Sequence, residues 1–427
     1  MKIYQNPDTA LSQKILQRPV HEAKDLAFIV EGVLQKVREE GDIALKGFTE
    51  KFDGVVITDF KVSTEEIEAA KDQVAPELKK AIQTAKANIA VFHQSQKSDP
   101  PRIETMPGIE CWQKSVGIEK VGFYIPGGTA PLFSSVLMMA VPGQIAGCKE
   151  MILCTPPQKD GRINPVILYT ANLCGVTQIF KVGGAQAIAA MAYGTDTIPA
   201  VYKIYGPGNQ YVTAAKQLVS QQGTAIDMPA GPSELMVVAD HTAEPSFVAA
   251  DLLSQAEHGV DSQVVLVAFD TGFAKKVLAE IELQLTKLPR RDIAKKALEN
   301  STILILENRN TALNAINQYA PEHLILAVEE VEAFAEKVTN AGSVFMGNYT
   351  PESVGDYASG TNHTLPTNGY ARSYSGLNLD AFVKKITFQK LSAIGLQNIG
   401  KAVELMAEAE QLVAHKEAVS VRLKGLM

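Results

Sequence analysis

The sequence predicts an α/β protein: two α/β blocks in tandem, a largely helical amino-terminal part and a helical carboxy-terminal tail. Three observations carry this. From Lys120, short apolar runs each end in Gly or Pro and lead into a helical stretch. The same texture restarts near Ala230. Outside these blocks, before residue 115 or so and after about Ser375, the apolar spacing is that of helices.

In the amino-terminal part, Ser63 and Glu66 form a capping box, each side chain placed to satisfy the other's backbone donor. A long amphipathic helix is expected over 76–96. His21 and His93 have no neighbours that suggest chemistry. From Lys120, KVGFYIPGG precedes PLFSSVLMMAVPGQIAGC and EMILCTPP precedes NPVILYTANLCGV. QIFKVGG then precedes AQAIAAMAYG, and VYKIYGPG precedes NQYVTAAKQLVSQ. Alternation of this kind builds a parallel sheet, in which ligands bind at the carboxyl ends of strands. The glycine turns fall at those ends and offer backbone amides and helix N-termini to phosphate. None of Gly127-Gly128-Thr-Ala, Gly183-Gly184-Ala-Gln or Gly206-Pro-Gly208-Asn is GxGxxG, so the regular dinucleotide fingerprint is absent. Tight βα turns also need glycine for conformation alone, and both readings stay open here.

The second block runs strand SELMVVAD, a helix through Asp251–Asp261, strand SQVVLVAFD, the amphipathic TGFAKKVLAEIELQLTKL and strand STILILEN. A helix ending in TALNAINQYAPEHL, strand LILAVEE, helix VEAFAEKVTNAG and strand SVFMG complete it. In DLLSQAEHGVD, Leu252, Leu253 and Ala256 form a buried stripe and Gly259 is the expected C-cap. Gln255 and His258, three apart, then project from one face near the helix end. An amide oxygen and an imidazole side by side can both coordinate a metal.

The totals bound the class. A chain of 427 residues suggests about three structural units. A hydrophobic fraction of 46% supplies sizeable cores, and 20% charged residues is ordinary for a soluble protein. The net charge of -7, with no basic block, argues against nucleic acid as a partner. The start MKIYQNPDTA has no basic region leading into an apolar run, so no secretory signal is expected. The richest apolar stretch, 136–146, is interrupted by Pro142 and Gly143, so no membrane span is expected. Cys111, Cys148, Cys154 and Cys174 form no CxxC pair, which fits reduced thiols in a cytoplasm.

Five of the seven histidines lie after residue 240. His241 reads as a helix-entry residue and is set aside. The others have suggestive neighbours: His258 beside Gln255, the adjacent Glu322-His323 after Pro321, Asp356 and His363 in a Gly/Ser/Thr-rich loop, and His415 five residues after Glu410. An amide, a carboxylate and several imidazoles beside a nucleotide-like sheet form a more specific combination than any of them alone.

The chain resembles the histidinol dehydrogenase family over nearly its whole length. The resemblance is carried by GFYIPGGTAPLFSSVLM, KVGGAQAIAA, YGPGN, AIDMPAGPSE, DLLSQAEHG, QYAPEHL, NAGSVFMG, TPESVGDYASGTNH and the tail AEAEQLVAHKEAVSVR. Thr350 stands where the family pattern has Ser, at a position with no assigned role. The resemblance implies two tandem incomplete-Rossmann-like, aldehyde-dehydrogenase-like α/β domains with a helical amino-terminal segment and a small helical tail domain. The corresponding divisions are 1–22, a discontinuous first domain of 23–120 plus 234–374, an NAD-binding domain of 121–233, and a tail of 375–427.

The same resemblance implies one zinc per subunit, held by Gln255, His258, Asp356 and His415, with Glu322 and His323 as the acid–base pair. It implies that Ser233, His323, His363 and Glu410, together with the zinc ligands, contact L-histidinol. Tyr124, Gln186 and Asn209 would contact NAD. It further implies a homodimer in which Glu410 and His415 complete the neighbouring subunit's site. The implied chemistry is a four-electron oxidation of L-histidinol to L-histidine through a bound aldehyde. His323 takes the alcohol proton, Glu322 activates water, and each of two NAD+ accepts a hydride. Two alternatives share the fold: the same zinc and NAD chemistry on another small alcohol, or aldehyde oxidation through a thiohemiacetal on Cys148 or Cys154.

Overall fold

A computed structural model of the chain describes residues 1–18, 24–127, 130–229 and 231–426. His21 and part of the first glycine turn, Gly128 and Thr129, lie outside the described residues. The strands run β1 (Lys2–Gln5), β2 (Ile103–Met106), β3 (Ile109–Gly117), β4 (Lys120–Tyr124), β5 (Glu150–Thr155), β6 (Gln178–Lys181) and β7 (Lys203–Tyr205). They continue with β8 (Ala225–Ile226), β9 (Glu234–Ala239), β10 (Gln263–Ala268), β11 (Thr302–Ile305), β12 (His323–Ala327), β13 (Ser343–Met346) and β14 (Val383–Leu391).

The two expected α/β blocks each form a parallel sheet: β6-β5-β4-β7-β8, and β1-β11-β10-β9-β12-β13. In each, β1 apart, the strands begin at a central position, work outward, then return to the first strand's other side, β7 beside β4 and β12 beside β9. Both faces are covered, as the burial of successive residues requires. Leu235 and Val237 of β9 join a core with Leu252 and Val248 of the helix Pro245–Ala256. Met236 and Val238 join the opposite core with Ile316 and Tyr319. Each fully buried aliphatic side chain of this kind contributes about 1.5–3 kcal/mol.

Three features go beyond the mostly helical reading of the two ends of the chain. The amino-terminal part is not all helical: β1 forms the edge of the six-stranded sheet, paired with β11. Nor is the tail wholly helical, because β14 pairs antiparallel with β3 along nine residues, and β2 completes a separate three-stranded sheet. Strands paired across some 270 residues, with Phe388 stacked on Trp112 at 5.3 Å, leave no local signal.

The third concerns the packing of the amino-terminal helices. Helices over 24–94 do not share a core with the six-stranded sheet. Val30, Val33 and Leu45 pack with Ile152 and Phe180, and Ile82 and Ile89 pack with Val121 and Leu153. These helices therefore lie against the five-stranded sheet, while β1 belongs to the six-stranded one. The Ser63–Glu66 capping box is present in full. Among the described residues no helix is long and apolar enough to cross a membrane.

Candidate active site

Glu322 and His323 owe their placement to the turn before β12. The helix Arg309–Tyr319 closes at Ala320, which takes a left-handed φ of 52°. Pro321 cannot continue the helix, and β12 begins at once between β9 and β13, with His323 opposite Leu235 and Ser343. Gly342 permits the close approach, since a Cβ there would lie 2.5 Å from the Glu322 carbonyl oxygen. The pair therefore sits at the amino end of the six-stranded sheet, at the helix-to-strand boundary expected from the sequence. The carboxyl end of the five-stranded sheet faces it across a cavity.

Glu322 is 6% exposed and His323 3% exposed. The Glu234 backbone N–H donates to Glu322 Oε2 at 2.9 Å, and the Glu234 carbonyl lies 3.3 Å from His323 Nδ1. That carbonyl can only accept, so in the neutral ring Nδ1 carries the hydrogen and Nε2 is left with its lone pair. Nε2 is buried without a hydrogen-bond partner, 3.6 Å from Asp356 Oδ1. Burial pushes the Glu322 carboxyl up to about 7 against the opposing pull of His323. Burial works to lower His323, but Glu352, Glu322 and Asp356 outweigh it and raise the imidazole to about 10. Asp356 is the reverse: burial works to raise it, and His323, His363 and His258 hold it below the usual carboxylate range.

The short helix Glu352–Tyr357 carries Glu352 and Asp356 one turn apart on one face. Ligand atoms of His323, Glu352 and Asp356 all lie within 4.8 Å of one another. The Gln255 amide, wholly buried in the last turn of Pro245–Ala256, lies between Glu352 Oε1 and the Glu234 N–H, and with a carboxylate at Glu352 both are satisfied only when the amide nitrogen is turned toward Glu352. That helix ends with Glu257 as its C-cap, not Gly259. His258 is therefore in the following turn and does not share a helical face with Gln255, although it lines the same cavity as Asp356. His363 Nδ1 donates to the Asp356 carbonyl at 2.9 Å, which leaves Nε2 of the neutral ring to accept from the Ser135 hydroxyl at 3.2 Å, bridging the two α/β blocks.

These side chains line a cavity of about 460 Å³. Ser233, His258, Glu322, His323, Asp356 and His363 form one side, and the Gly206–Asn209 turn and Ser135 the other. A Cβ on Gly206, at φ 131°, would collide with the Tyr124 carbonyl, so only glycine lets this turn lie against β4. A second cavity of about 1050 Å³ is lined by Tyr124, Gln186 and Asn209, and Gly127 and Asn209 border both. There the Gly184 N–H donates to the Tyr124 hydroxyl at 3.1 Å, and Asn209 caps the helix Gln210–Ser220 by accepting from the Tyr211 and Val212 N–H groups.

Glu410 and His415 are not brought to this site. Both are exposed, Glu410 at the end of the helix Ala393–Ala409 and His415 on Val413–Lys424, and neither lines the two cavities. The cysteine alternative finds no nucleophile here. Cys148 and Cys154 are buried and line neither cavity, and burial pushes the Cys148 thiol up to about 11 and Cys154 higher still.

Three residues at the site escaped sequence reasoning. Glu352 stood in a stretch that reads as loop, though its spacing of four from Asp356 was the available signal. Glu234 reads as the start of a strand and acts mainly through its backbone. Arg18 gives no signal at all: it reaches from the amino-terminal segment to ion-pair with buried Glu234, and its Nη2 also donates to the Tyr319 carbonyl at 2.7 Å.

A family model described as histidinol dehydrogenase matches residues 16–423. A histidinol dehydrogenase of Bacteroides thetaiotaomicron is 57% identical over 426 residues, 100% of both chains. One of Vibrio parahaemolyticus is 51% identical, covering 99% of this chain and 98% of its own. The crystal structure of histidinol dehydrogenase from Elizabethkingia anophelis superposes with a TM-score of 0.98 at 57% identity, covering 100% of this chain and 98% of that one. An NAD-dependent aldehyde dehydrogenase from Sinorhizobium meliloti shares the fold at a TM-score of 0.50 and 12% identity, with 89% and 82% covered.

Proposed function

The chain belongs to the histidinol dehydrogenase family, and on that footing we propose that it oxidises L-histidinol to L-histidine in histidine biosynthesis with two NAD+. The observation that carries this reading is His323 Nε2, buried, without a hydrogen-bond partner, and on the wall of the cavity beside Glu322. The neighbouring carboxylates favour the protonated imidazole; a cation held at Asp356 would offset that pull, and the freed Nε2 would take the alcohol proton as hydride leaves the same carbon for NAD+, giving the aldehyde, NADH and a proton. Water then adds to the aldehyde carbon with Glu322 taking its proton. The hydrate loses a second hydride to a second NAD+, leaving the carboxylate. Burial holds Glu322 near 7, which suits a group that must both take and release a proton near neutrality. The nicotinamide coenzyme is assigned to the cavity of Tyr124, Gln186 and Asn209, whose border with the smaller cavity, at Gly127 and Asn209, is where hydride would cross.

Asp356 and His258, an oxygen and a nitrogen donor lining one cavity, fit zinc chemistry, and Gln255 lies against Glu352, one helical turn from Asp356. A bound zinc would anchor the substrate's amine and imidazole and stabilise charge on its oxygen. His415 lies on the exposed tail, so the donor set is complete only when a second copy supplies it. The tail also exposes Ile394 at 63%, Met406 at 67% and Val413 at 65%, an apolar surface that a second copy would cover. We therefore assign a homodimer with Glu410 and His415 reaching the neighbouring site, where Glu410 would accept from the substrate imidazole N–H. Ser233 and His363 line the substrate cavity and would orient the rest of the molecule. The free cysteines and the absence of a spanning helix among the described residues fit a cytoplasmic setting.

The test is NADH formation from L-histidinol and NAD+ by purified protein, before and after zinc chelation. Turnover that chelation abolishes and added zinc restores supports the reading; turnover indifferent to chelation refutes the metal, and no NADH from L-histidinol refutes the substrate.

A further inference from the structure

Lys216 and Asp227 form an ion pair whose side chains are 5% and 1% exposed, and both line the smaller cavity. The acid–base chemistry assigned to Glu322 and His323 makes no use of them. Desolvation offsets most of the attraction in a buried pair, so stability alone is a poor reason for one. What the pair holds is a single residue. Lys216 Nζ donates to the Gly206 carbonyl at 2.8 Å, and the Gly206 N–H donates to Asp227 Oδ2 at 2.8 Å. The other carboxylate oxygen, Oδ1, accepts from the Met228 N–H at 2.8 Å and faces the Lys216 ammonium.

These groups come from three elements. Gly206 directly follows β7, Lys216 stands on the helix Gln210–Ser220, and Asp227 directly follows β8. Asn209 caps that same helix and borders both cavities. The first residue of the Gly206–Asn209 turn is thus held at its N–H and its carbonyl, and the last is held by the cap. A turn gripped at both ends has little freedom to shift toward either cavity.

We propose that Lys216 and Asp227 are positioning residues that fix the Gly206–Asn209 turn as the partition beside which hydride passes. This rests on the coenzyme and substrate cavities assigned above and adds the pair that sets their separation. Such geometry is demanding, since a misplacement of about 1 Å costs about 10²-fold in rate. In Lys216→Met, NADH formation in a single turnover at saturating L-histidinol and NAD+ should therefore fall about 10²-fold. NADH affinity by fluorescence titration should stay near that of the wild type, because Tyr124 and Gln186 are untouched. Amide exchange over residues 206–212 should quicken, a readout that needs no turnover. Lys216→Met combined with Asp227→Asn buries no charge and should regain part of the lost folding stability. Its hydride step should stay slow, because the Gly206 carbonyl still lacks its donor.

A double variant that regains turnover along with stability would make the pair purely structural and overturn the proposal. A wild-type single-turnover rate in Lys216→Met would also overturn it, as would unchanged exchange over 206–212 or a loss confined to NADH affinity. If Lys216→Met does not fold by far-UV circular dichroism, the double variant carries the same test. Wild-type protein that forms no NADH from L-histidinol counts against the function proposed above, and exchange alone then decides whether the pair holds the turn.

Discussion

Replacing Arg18 by alanine should loosen the catalytic strand ends from a position outside both cavities. Arg18 pairs with Glu234, and the two side chains are 15% and 2% exposed. Its guanidinium also lies 4.0 Å above the Tyr319 ring. Alanine leaves the Glu234 carboxylate buried and uncompensated, and breaking a buried pair in this way costs about 3–5 kcal/mol. At about 1.4 kcal/mol per tenfold, the opening of this region should become roughly 10²- to 10³-fold more frequent or more. Amide hydrogen exchange reads this directly at the first residues of β9 and β12, where opening governs exchange. Turnover should fall with it, because the Glu234 N–H holds Glu322 and its carbonyl faces His323 Nδ1. The pair Arg18→Met with Glu234→Gln removes both charges and should recover most of the protection lost by Arg18→Ala. Unchanged exchange and turnover in Arg18→Ala would refute the coupling, as would a double variant less protected than the single one.

Other substitutions separate the roles at the site. His323→Asn should lower turnover of both alcohol and aldehyde by about 10²- to 10⁴-fold, the worth of a general base. Glu322→Gln should slow oxidation of the aldehyde more than that of the alcohol in single-turnover assays; equal losses would refute the division between them. His258→Asn and His415→Asn should each be inactive alone, yet mixing them under conditions of subunit exchange should restore partial activity. No recovery would contradict a site shared between copies. Gly342→Ala places a methyl 2.5 Å from the Glu322 carbonyl and should cut turnover at least tenfold while coenzyme binding, measured by fluorescence titration, stays near normal.

The two parallel sheets were legible because fully buried strands such as QVVLVA and ELMVVA read as apolar runs and their glycine turns mark each boundary. The third sheet was not. β14 is mostly exposed and rich in lysine, so it lacks the apolar run that signals a buried strand, and its pairing with β3 depends on residues far away in sequence. The helices over 24–94 were legible as helices, but amphipathic spacing says only that one face is buried and not against which sheet. At the site, polar side chains beside turns stood out, whereas groups acting through a backbone amide or from a buried helix face did not. Glu234 holds Glu322 with its N–H, a contact that no residue-type pattern encodes. The helix-to-strand boundary of Glu322 and His323 was legible, whereas the way the two sheets meet was not. The rule for isolated parallel sheets looks to carboxyl ends, and here the amino end of one sheet closes over the carboxyl end of the other.

The most direct test of the account counts NADH formed per molecule of limiting L-histidinol, with zinc and excess NAD+. Two NADH per histidinol, with histidine as the product, is the predicted result. A value of one, with aldehyde accumulating, would contradict the four-electron reaction and remove the role given to Glu322.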